Sequence, residues 1–490
     1  MKRYIQSMSF CLILMLWMAG CKKNFLDVIP KGRQVAVTTK DYDLLLNSSM
    51  QYVYQGGGGW QALALMGDDV AAEDSYFSAA VPSAQNAFRW DNDLYVPGDF
   101  ISEVTLSLQN LYTVNKVIRE VAESTGGSEQ EKRALIAEAR AQRAWMYFTY
   151  VNYYGKPYTT TAAEDPSFPI IKTADVNAGN YTRNSVKEVY DFMIEDLTAA
   201  IGDLPLENMI GATRWNRAGA EGVLGKIYLF SGRNKEALDM FNAAFNDLAR
   251  QNTPARLYNY NDEFAAGGKF DPITPDGPTN SPGLNYNDNT ESLVARSFYN
   301  GPNNGNTLGN DFIILSENAR ALFLASDLRL KFYAAQFAYQ VPNPSGRLSK
   351  YSEQFVKFGM QLPELYLLRA EANARLNNLA DARTDIETLR NNRMPSTDAA
   401  VPAAVYADRK KLIQYIFDER TREFAVEGYR WLDMRRLSVD SLFGTTNYSH
   451  TLYLDDTYTN IKVFSLRPDR LTLRLPYSIM NDNPQFKNNP

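Results

Sequence analysis

Apolar residues recur three and four positions apart through long runs of this chain, the spacing that lays them along one face of a helix. The pattern predicts helices at Asp41–Ser49, around Leu44, Leu45 and Leu46, at Leu106–Glu123, and at Ser185–Ile201, where Val189, Phe192, Met193 and Leu197 share a face. Ser128–Tyr154 opens on Ser128 followed by Glu131, the spacing of a capping box, and stops at Tyr154-Gly155-Lys156-Pro157, a glycine followed by a proline. Its apolar positions include Leu135, Ala139, Trp145, Met146, Phe148 and Val151. In Ala218–Ala249, residues Leu224, Gly225, Tyr228, Ala237, Phe241 and Ala244 fall at tetratricopeptide spacings, small residues letting two antiparallel helices approach and large ones filling the seam. Leu365–Leu389 matches more loosely through Ala370, Ala382, Ile386 and Leu389, and Glu138–Phe148 matches only the first helix of such a unit. Val356–Leu376 and Ala380–Asn392 read as a helix pair, and Arg409–Arg436 as one long helix.

Between these runs the pattern lapses. Tyr54–Trp60 carries four glycines and cannot be helix interior. Residues 67–100 read as irregular, as does the longer stretch 258–309, rich in Asn, Gly, Pro, Asp and Tyr. The tail 437–490 reads as loop with short extended pieces at Ile461–Leu466 and Leu471–Leu475. The predicted fold is mainly α: a tetratricopeptide-like helical scaffold beside a loop-rich half with few short strands. Long insertions between the repeats exclude a regular solenoid.

Charge changes the reading of the last long helix. In Glu419–Arg436 the carboxylates Glu419, Glu423 and Glu427 form one i, i+4 row, with Arg420, Arg422 and Arg430 close by. Guanidinium forks can neutralise such a row. The reading is a structural ion network, with Glu138, Arg140 and Arg143 of the earlier helix as expected partners. A di-metal bundle would need Glu-x-x-His pairs, and the only histidine, His450, lies outside this helix.

The formal net charge is -5 and no basic patch stands out, so nucleic acid is not an expected partner. Lys2 and Arg3 precede an apolar stretch, Met8–Met18, and then Met18-Ala19-Gly20-Cys21. This resembles a bacterial lipoprotein signal, with cleavage before Cys21 and a lipid anchor on it; the alternative is an ordinary secretory signal with an incidental cysteine. Cys11 and Cys21 are the only cysteines, so the processed chain has no disulfide framework and no thiol nucleophile. P-loop, dinucleotide and nucleophile-elbow motifs are absent, and one histidine leaves little room for a Ser-His-Asp relay.

Sugar binding matches the residue types better. Aromatic rings cover the apolar face of a pyranose while Asp, Asn and Arg hydrogen-bond its hydroxyls. The candidates lie in the irregular stretches: Trp60, Asp68, Asp69, Tyr76, Phe77, Trp90, Tyr286, Tyr299 and Asn300. A glycosidase would need two carboxylates, for which Asp68 with Asp69, or Asp74 with Asp91, are the candidates. No cofactor is expected; calcium is a weak alternative at Asn259–Glu263 and Asn285–Asp288, neither of which fits an EF-hand.

Several segments in this order resemble the SusD/RagB family of Bacteroidota outer-membrane lipoproteins. They are CKKNFLDVIP after the signal, EARAQRAWMYFTYVNYYGKPY, YTRNSVKEVYDFMIEDLTAAIGDLP, ATRWNRAGAEGVLGKIYLFSG, LPELYLLRAEANARL, ERTREFAVEGYRWLDMRR and the closing LPYSIMNDNPQFKNNP. The resemblance implies tetratricopeptide-like helices packed against an irregular ligand-binding half. It implies a lipid-anchored protein facing out from the outer membrane, above a SusC-like TonB-dependent transporter, capturing oligosaccharides and closing over the channel as a lid. Peptide capture in the same kind of importer is the alternative, and a surface glycosidase a further one. The chain then divides into a signal segment 1–20, a lipidated tether 21–40, an N-terminal region 41–250 with tetratricopeptide-like helices, and a C-terminal region 251–490 holding the insertion 258–309 and the scaffold 356–436.

Overall fold

A computed structural model describes residues 36–53, 62–207, 209–275, 277–299, 313–334, 336, 349–351, 355–444 and 446–490. Cys21, the signal segment, most of the tether, the glycine run, Trp60 and Asn300 lie outside these residues, as does the side chain of Tyr299.

The fold is mainly α. Its principal helices are α1 (Thr39–Leu46), α2 (Pro82–Arg89), α3 (Ser102–Glu120), α4 (Glu129–Tyr154), α5 (Val186–Ile201), α6 (Arg217–Phe230), α7 (Asn234–Leu248), α8 (Leu362–Arg375), α9 (Leu379–Asn391), α10 (Arg409–Phe424) and α11 (Tyr429–Leu437). The capping box forms as the spacing requires: Ser128 Oγ accepts from Glu131 N at 3.2 Å, and Ser128 N donates to Glu131 Oε2 at 2.6 Å. Ser185 and Glu188 repeat it at α5. Helices α3, α4 and α5 pack in sequence; α6 pairs with α7 and α8 with α9, while α8 also lies on α7 and α10. Gly225 is where the tetratricopeptide pattern needs a small residue, since a Cβ there would stand 2.5 Å from the Phe241 ring. Ala370, Ala382, Ile386 and Phe417 join α8, α9 and α10 in a core of their own.

Two stretches carry more order than their composition predicts, and a third takes a different form. Residues 67–100 hold β1 (Val70–Glu73), a short helix Asp74–Phe77 and α2. The 258–309 region contributes β2 (Ser292–Tyr299), and residues 355–361, read above as helix, form β4 (Phe355–Gln361), antiparallel to β2. Helix α8 starts only after this strand, with Pro363 in its first turn, where a missing N–H costs nothing. Strand β1 sits inside a four-stranded sheet, parallel to β5 (Ser449–Tyr453) and antiparallel to β3 (Ile313–Leu315), with β6 (Ile461–Ser465) on the outer edge of β5.

The single helix expected over Arg409–Arg436 breaks at residues 425–428. Val426 and Gly428 both take left-handed backbone, φ 68° and 90°. For Val426, β-branched, that conformation costs about 1–3 kcal/mol. It is held because the buried Asp69 carboxylate accepts the Val426 N–H at 2.8 Å. At Gly428 a Cβ would meet Leu63 Cβ at 2.7 Å and Ala64 N at 2.8 Å, so only glycine fits. Glu427 therefore leaves the carboxylate row and lies in the break.

Candidate functional site

The ion network forms with Arg422 on Glu419 as expected, but its partners from outside the helix are not those expected. Glu419 is fully buried among Arg329 at 2.8 Å, Arg390 at 2.7 Å and Arg422 at 2.6 Å. Burial opposes its charge, yet the three guanidiniums outweigh that and hold the carboxyl well below the usual carboxylate range. Glu423 is pinned by Arg393 and Arg329, each at 2.8 Å, and Arg393 reaches on to Glu291 at 2.8 Å. Glu427 meets Lys350 at 2.5 Å, and Arg430 meets Asp68 at 2.5 Å. Glu138 and Arg143 do not join this network. Glu138 binds Arg214, and Arg143 forks onto Asp196 at 2.7 and 2.8 Å. Helix α4 thus has an ion cluster of its own, tied to α5 and to the turn before α6. Lys226 and Arg420, which share Glu364, link α6 and α10 instead.

Where the network reaches the loop-rich half it forms the floor of a cleft of about 120 Å³. Tyr260, Phe332, Tyr333 and Phe355 give it rings; Asp288, Glu291, Arg329, Lys350, Lys357, Gln361, Glu423 and Glu427 give it polar groups. They converge from several parts of the fold: Phe355, Lys357 and Gln361 from β4, Glu423 from the end of α10, Glu427 from the break, and Arg329 and Phe332 from a short 3-10 helix. Tyr333 Oη and Lys350 Nζ both donate to Ala425 O, at 3.2 and 3.4 Å, so the cleft wall also braces the break. Asp288 is held by Lys269 at 2.7 Å and by Tyr258 Oη at 2.9 Å. Burial works against its charged form, but the Lys269 hydrogen bond and its neighbours hold the carboxyl below its ordinary value. The cleft is half open to solvent, so it suits the end of a ligand rather than an enclosed one.

The sequence candidates divide sharply. Tyr286 is 40% exposed and its ring lies 5.6 Å from that of Phe355, a cleft residue, so it stands at the cleft's edge. Tyr76 is 41% exposed, but on the short helix after β1. Tyr299 ends β2, opposite Phe355 in the ladder. Phe77 and Trp90 are core residues, not platforms. Phe77 packs against Phe88 with centroids 5.5 Å apart. Trp90, 6% exposed, lies 3.7 Å from the His450 ring and donates its indole N–H to Met66 O at 3.0 Å. Asp68 is taken by Arg430 and Asp69 by Val426, so both acids brace the helix break. Burial pushes the Asp69 carboxyl up to about 6, against the pull of the Val426 N–H. Burial pushes His450 down to about 4, although both ring nitrogens face carbonyl oxygens, of Phe88 and Gly67, at 2.6 Å.

Of the stretches considered for calcium, Asn259 caps the short helix Tyr260–Glu263, and Asp288 is ion-paired. Among the described residues no group of three or more His, Cys, Asp or Glu side chains is arranged to hold a metal ion. No described helix is long and apolar enough to cross a membrane. The cleft residues missed by sequence reasoning, Arg329, Tyr333, Lys350, Phe355 and Lys357, carry no motif. The one usable signal was the alternation of Val356, Phe358 and Met360 with Lys357, Gly359 and Gln361, a strand pattern read above as helix.

Residues 24–229 match a family model described as starch-binding, associating with outer membrane, and residues 343–490 match the model of the SusD family. A SusD-like protein of Bacteroides ovatus is 28% identical over 278 residues, 51% of this chain and 45% of that protein, so the match spans less than half of the relative's length. A SusD superfamily protein from Bacteroides thetaiotaomicron superposes with a TM-score of 0.67 at 18% identity, covering 93% of this chain and 100% of that one. A SusD-like carbohydrate binding protein from Bacteroides vulgatus does so at 0.64 and 16%, covering 91% and 97%. At such identities the structures speak to fold alone. The two family models lie in the order in which the chain presents its N-terminal helices and its closing scaffold, and the chain belongs to the SusD/RagB family.

Proposed function

We propose that this protein is a non-enzymatic, cell-surface binding lipoprotein that captures oligosaccharides. It hands them to a SusC-like TonB-dependent transporter in the outer membrane and acts as the lid of that channel, anchored by lipid on Cys21. The observation that carries the binding role is the cleft, where aromatic rings and hydrogen-bonding groups line one depression with Tyr286 at its edge. Rings beside polar groups suit a ligand with C–H faces and a rim of hydroxyls. Trp60, Tyr76, Tyr299 and Asn300 remain proposed contributors to the wider surface. Asp68 and Asp69 are committed to Arg430 and Val426, which speaks against their use as a glycosidase pair.

Calorimetry on the soluble chain beginning after Cys21, against a panel of oligosaccharides and of peptides, tests this reading. Binding to a glycan that weakens in Tyr286→Ala, with the melting temperature unchanged, is the expected result. Folded protein that binds peptides and no glycan would move the assignment to peptide capture. Cys21→Ala is expected to release the protein from the membrane and impair uptake; normal growth on the ligand with the variant still at the surface would overturn the anchor.

A further inference from the structure

The cleft is charge-balanced to an unusual degree. Its wall carries the acids Asp288, Glu291, Glu423 and Glu427 and the cations Arg329, Lys350, Lys357 and Arg422. All four acids have a cation within 2.5–2.8 Å: Lys269 for Asp288, Arg393 for Glu291, Arg393 and Arg329 for Glu423, and Lys350 for Glu427. Both guanidiniums are likewise engaged, Arg422 by Glu419 and Arg329 by Asp327, Glu419 and Glu423. Lys357 donates to Asn285 O at 3.2 Å on the exposed side. The partners behind the wall, Lys269, Arg393, Asp327 and Glu419, add two charges of each sign.

A ligand carboxylate or sulfate could take a guanidinium here only by displacing a buried carboxylate already on it. Stripping one partner from a buried pair costs more than a new ion pair at a half-open wall returns. A ligand ammonium meets the same obstacle with the acids. What the wall offers without breaking one of these ion pairs is ring surface, dipoles that already take part in its hydrogen bonds, such as the Tyr333 hydroxyl and the Gln361 amide, and on the exposed side the single Lys357 ammonium. Such a surface discriminates through the cost of the wrong ligand as much as through attraction to the right one.

We infer that the cleft selects uncharged polyhydroxy ligands, the ends of neutral oligosaccharides, and rejects uronic-acid and sulfated ones. This rests on the oligosaccharide-binding reading above.

The test compares neutral gluco-oligosaccharides with oligogalacturonate of matched length, by calorimetry at 50 and 500 mM NaCl, on the wild type and on Asp288→Asn. That variant leaves Lys269 without its carboxylate while the new amide oxygen still accepts from Tyr258 and Thr290. In the wild type, neutral ligand binds at least about ten-fold tighter than the acidic one, and its affinity changes less than about two-fold with salt. In Asp288→Asn, the affinity for oligogalacturonate relative to the neutral ligand rises about ten-fold at low salt and falls back at high salt. Wild-type preference for the acidic ligand, or an Asp288→Asn variant that gains nothing, overturns the inference and leaves oligosaccharide capture standing. Failure of every glycan to bind overturns the capture reading itself. Melting curves confirm that each variant is folded.

Discussion

Asp69 offers the sharpest test of how the helix break is held. It is 2% exposed, its Oδ2 accepts from Val426 N, and its Oδ1 meets no donor among the described residues. Burial raises its carboxyl from the ordinary 3.8 to about 6. That difference corresponds to about 3 kcal/mol in favour of the protonated form. The sign is fixed: between pH 3.8 and about 6 the folded chain holds a proton that the unfolded chain has lost. Asp69 therefore adds stability below the unfolded value and loses it as pH rises through about 6, with no further change above. The Asp69→Asn variant keeps an acceptor for the Val426 N–H and removes the titration. An amide N–H left without an acceptor there costs about 1–3 kcal/mol, comparable to the desolvation that the substitution relieves, so the absolute change at neutral pH is small. The informative quantity is the difference between wild type and Asp69→Asn, followed by urea denaturation from about pH 7 to about pH 4. It should move by about 2.4 kcal/mol in favour of the wild type over that range, most of the full difference. Parallel profiles for the two proteins would refute the account of Asp69 as a buried, under-bonded carboxyl.

His450 should show the opposite slope, since burial depresses it from 6.5 to about 4: its contribution falls as pH drops through that window, and as the only histidine its ring can be followed directly by NMR. Glu423→Ala leaves Arg393 and Arg329 facing each other without that acid and should cost about 3–5 kcal/mol in chemical denaturation. Gly225→Ala forces the Phe241 ring aside and should cost about 1–3 kcal/mol, read as a lowered melting temperature. Tyr286→Ala should leave stability within about 0.5 kcal/mol while weakening ligand binding by about 1 kcal/mol, or five-fold.

The scaffold was legible in the sequence because its determinants are local. A capping box needs only Ser128 and Glu131, and the α6–α7 seam needs Gly225 and Phe241 at repeat spacing. The break at residues 425–428 was not legible, because Glu419, Glu423 and Glu427 keep helical period straight across it. What bends the chain there is Asp69, more than 350 residues away in sequence. The ion network was readable in kind but not in pairing: Arg329, Arg390 and Arg393 lie on segments whose approach to α10 is a tertiary fact. The same holds for the cleft. Asp68, Asp69, Phe77 and Trp90 sit in a polar, glycine-flanked stretch that looks like a surface loop. They are drawn inward because β1 inserts between β3 and β5, and no local signal announces the insertion. Tyr286 stays exposed at the cleft's edge, whereas Tyr258, Tyr260, Phe264 and Phe270 of the same turn-rich stretch are buried, a difference the local sequence does not carry.

The break between α10 and α11 also bears on how this chain can change length. The break spans four residues anchored at both ends, with the Val426 N–H on Asp69 and Gly428 against Leu63 and Ala64. Removing or adding one residue between Phe424 and Tyr429 would break those anchors and displace the start of α11. Arg430 would swing away from Asp68, Asp433 from Arg420, and Trp431 out of the core, all in one step. Point substitutions in this segment can be absorbed one contact at a time; a single-residue insertion or deletion cannot. The four positions 425–428 should therefore hold a fixed length across related chains, with glycine at 428, even where the side chains at the other three differ, while the loops around the cleft remain free to grow or shrink.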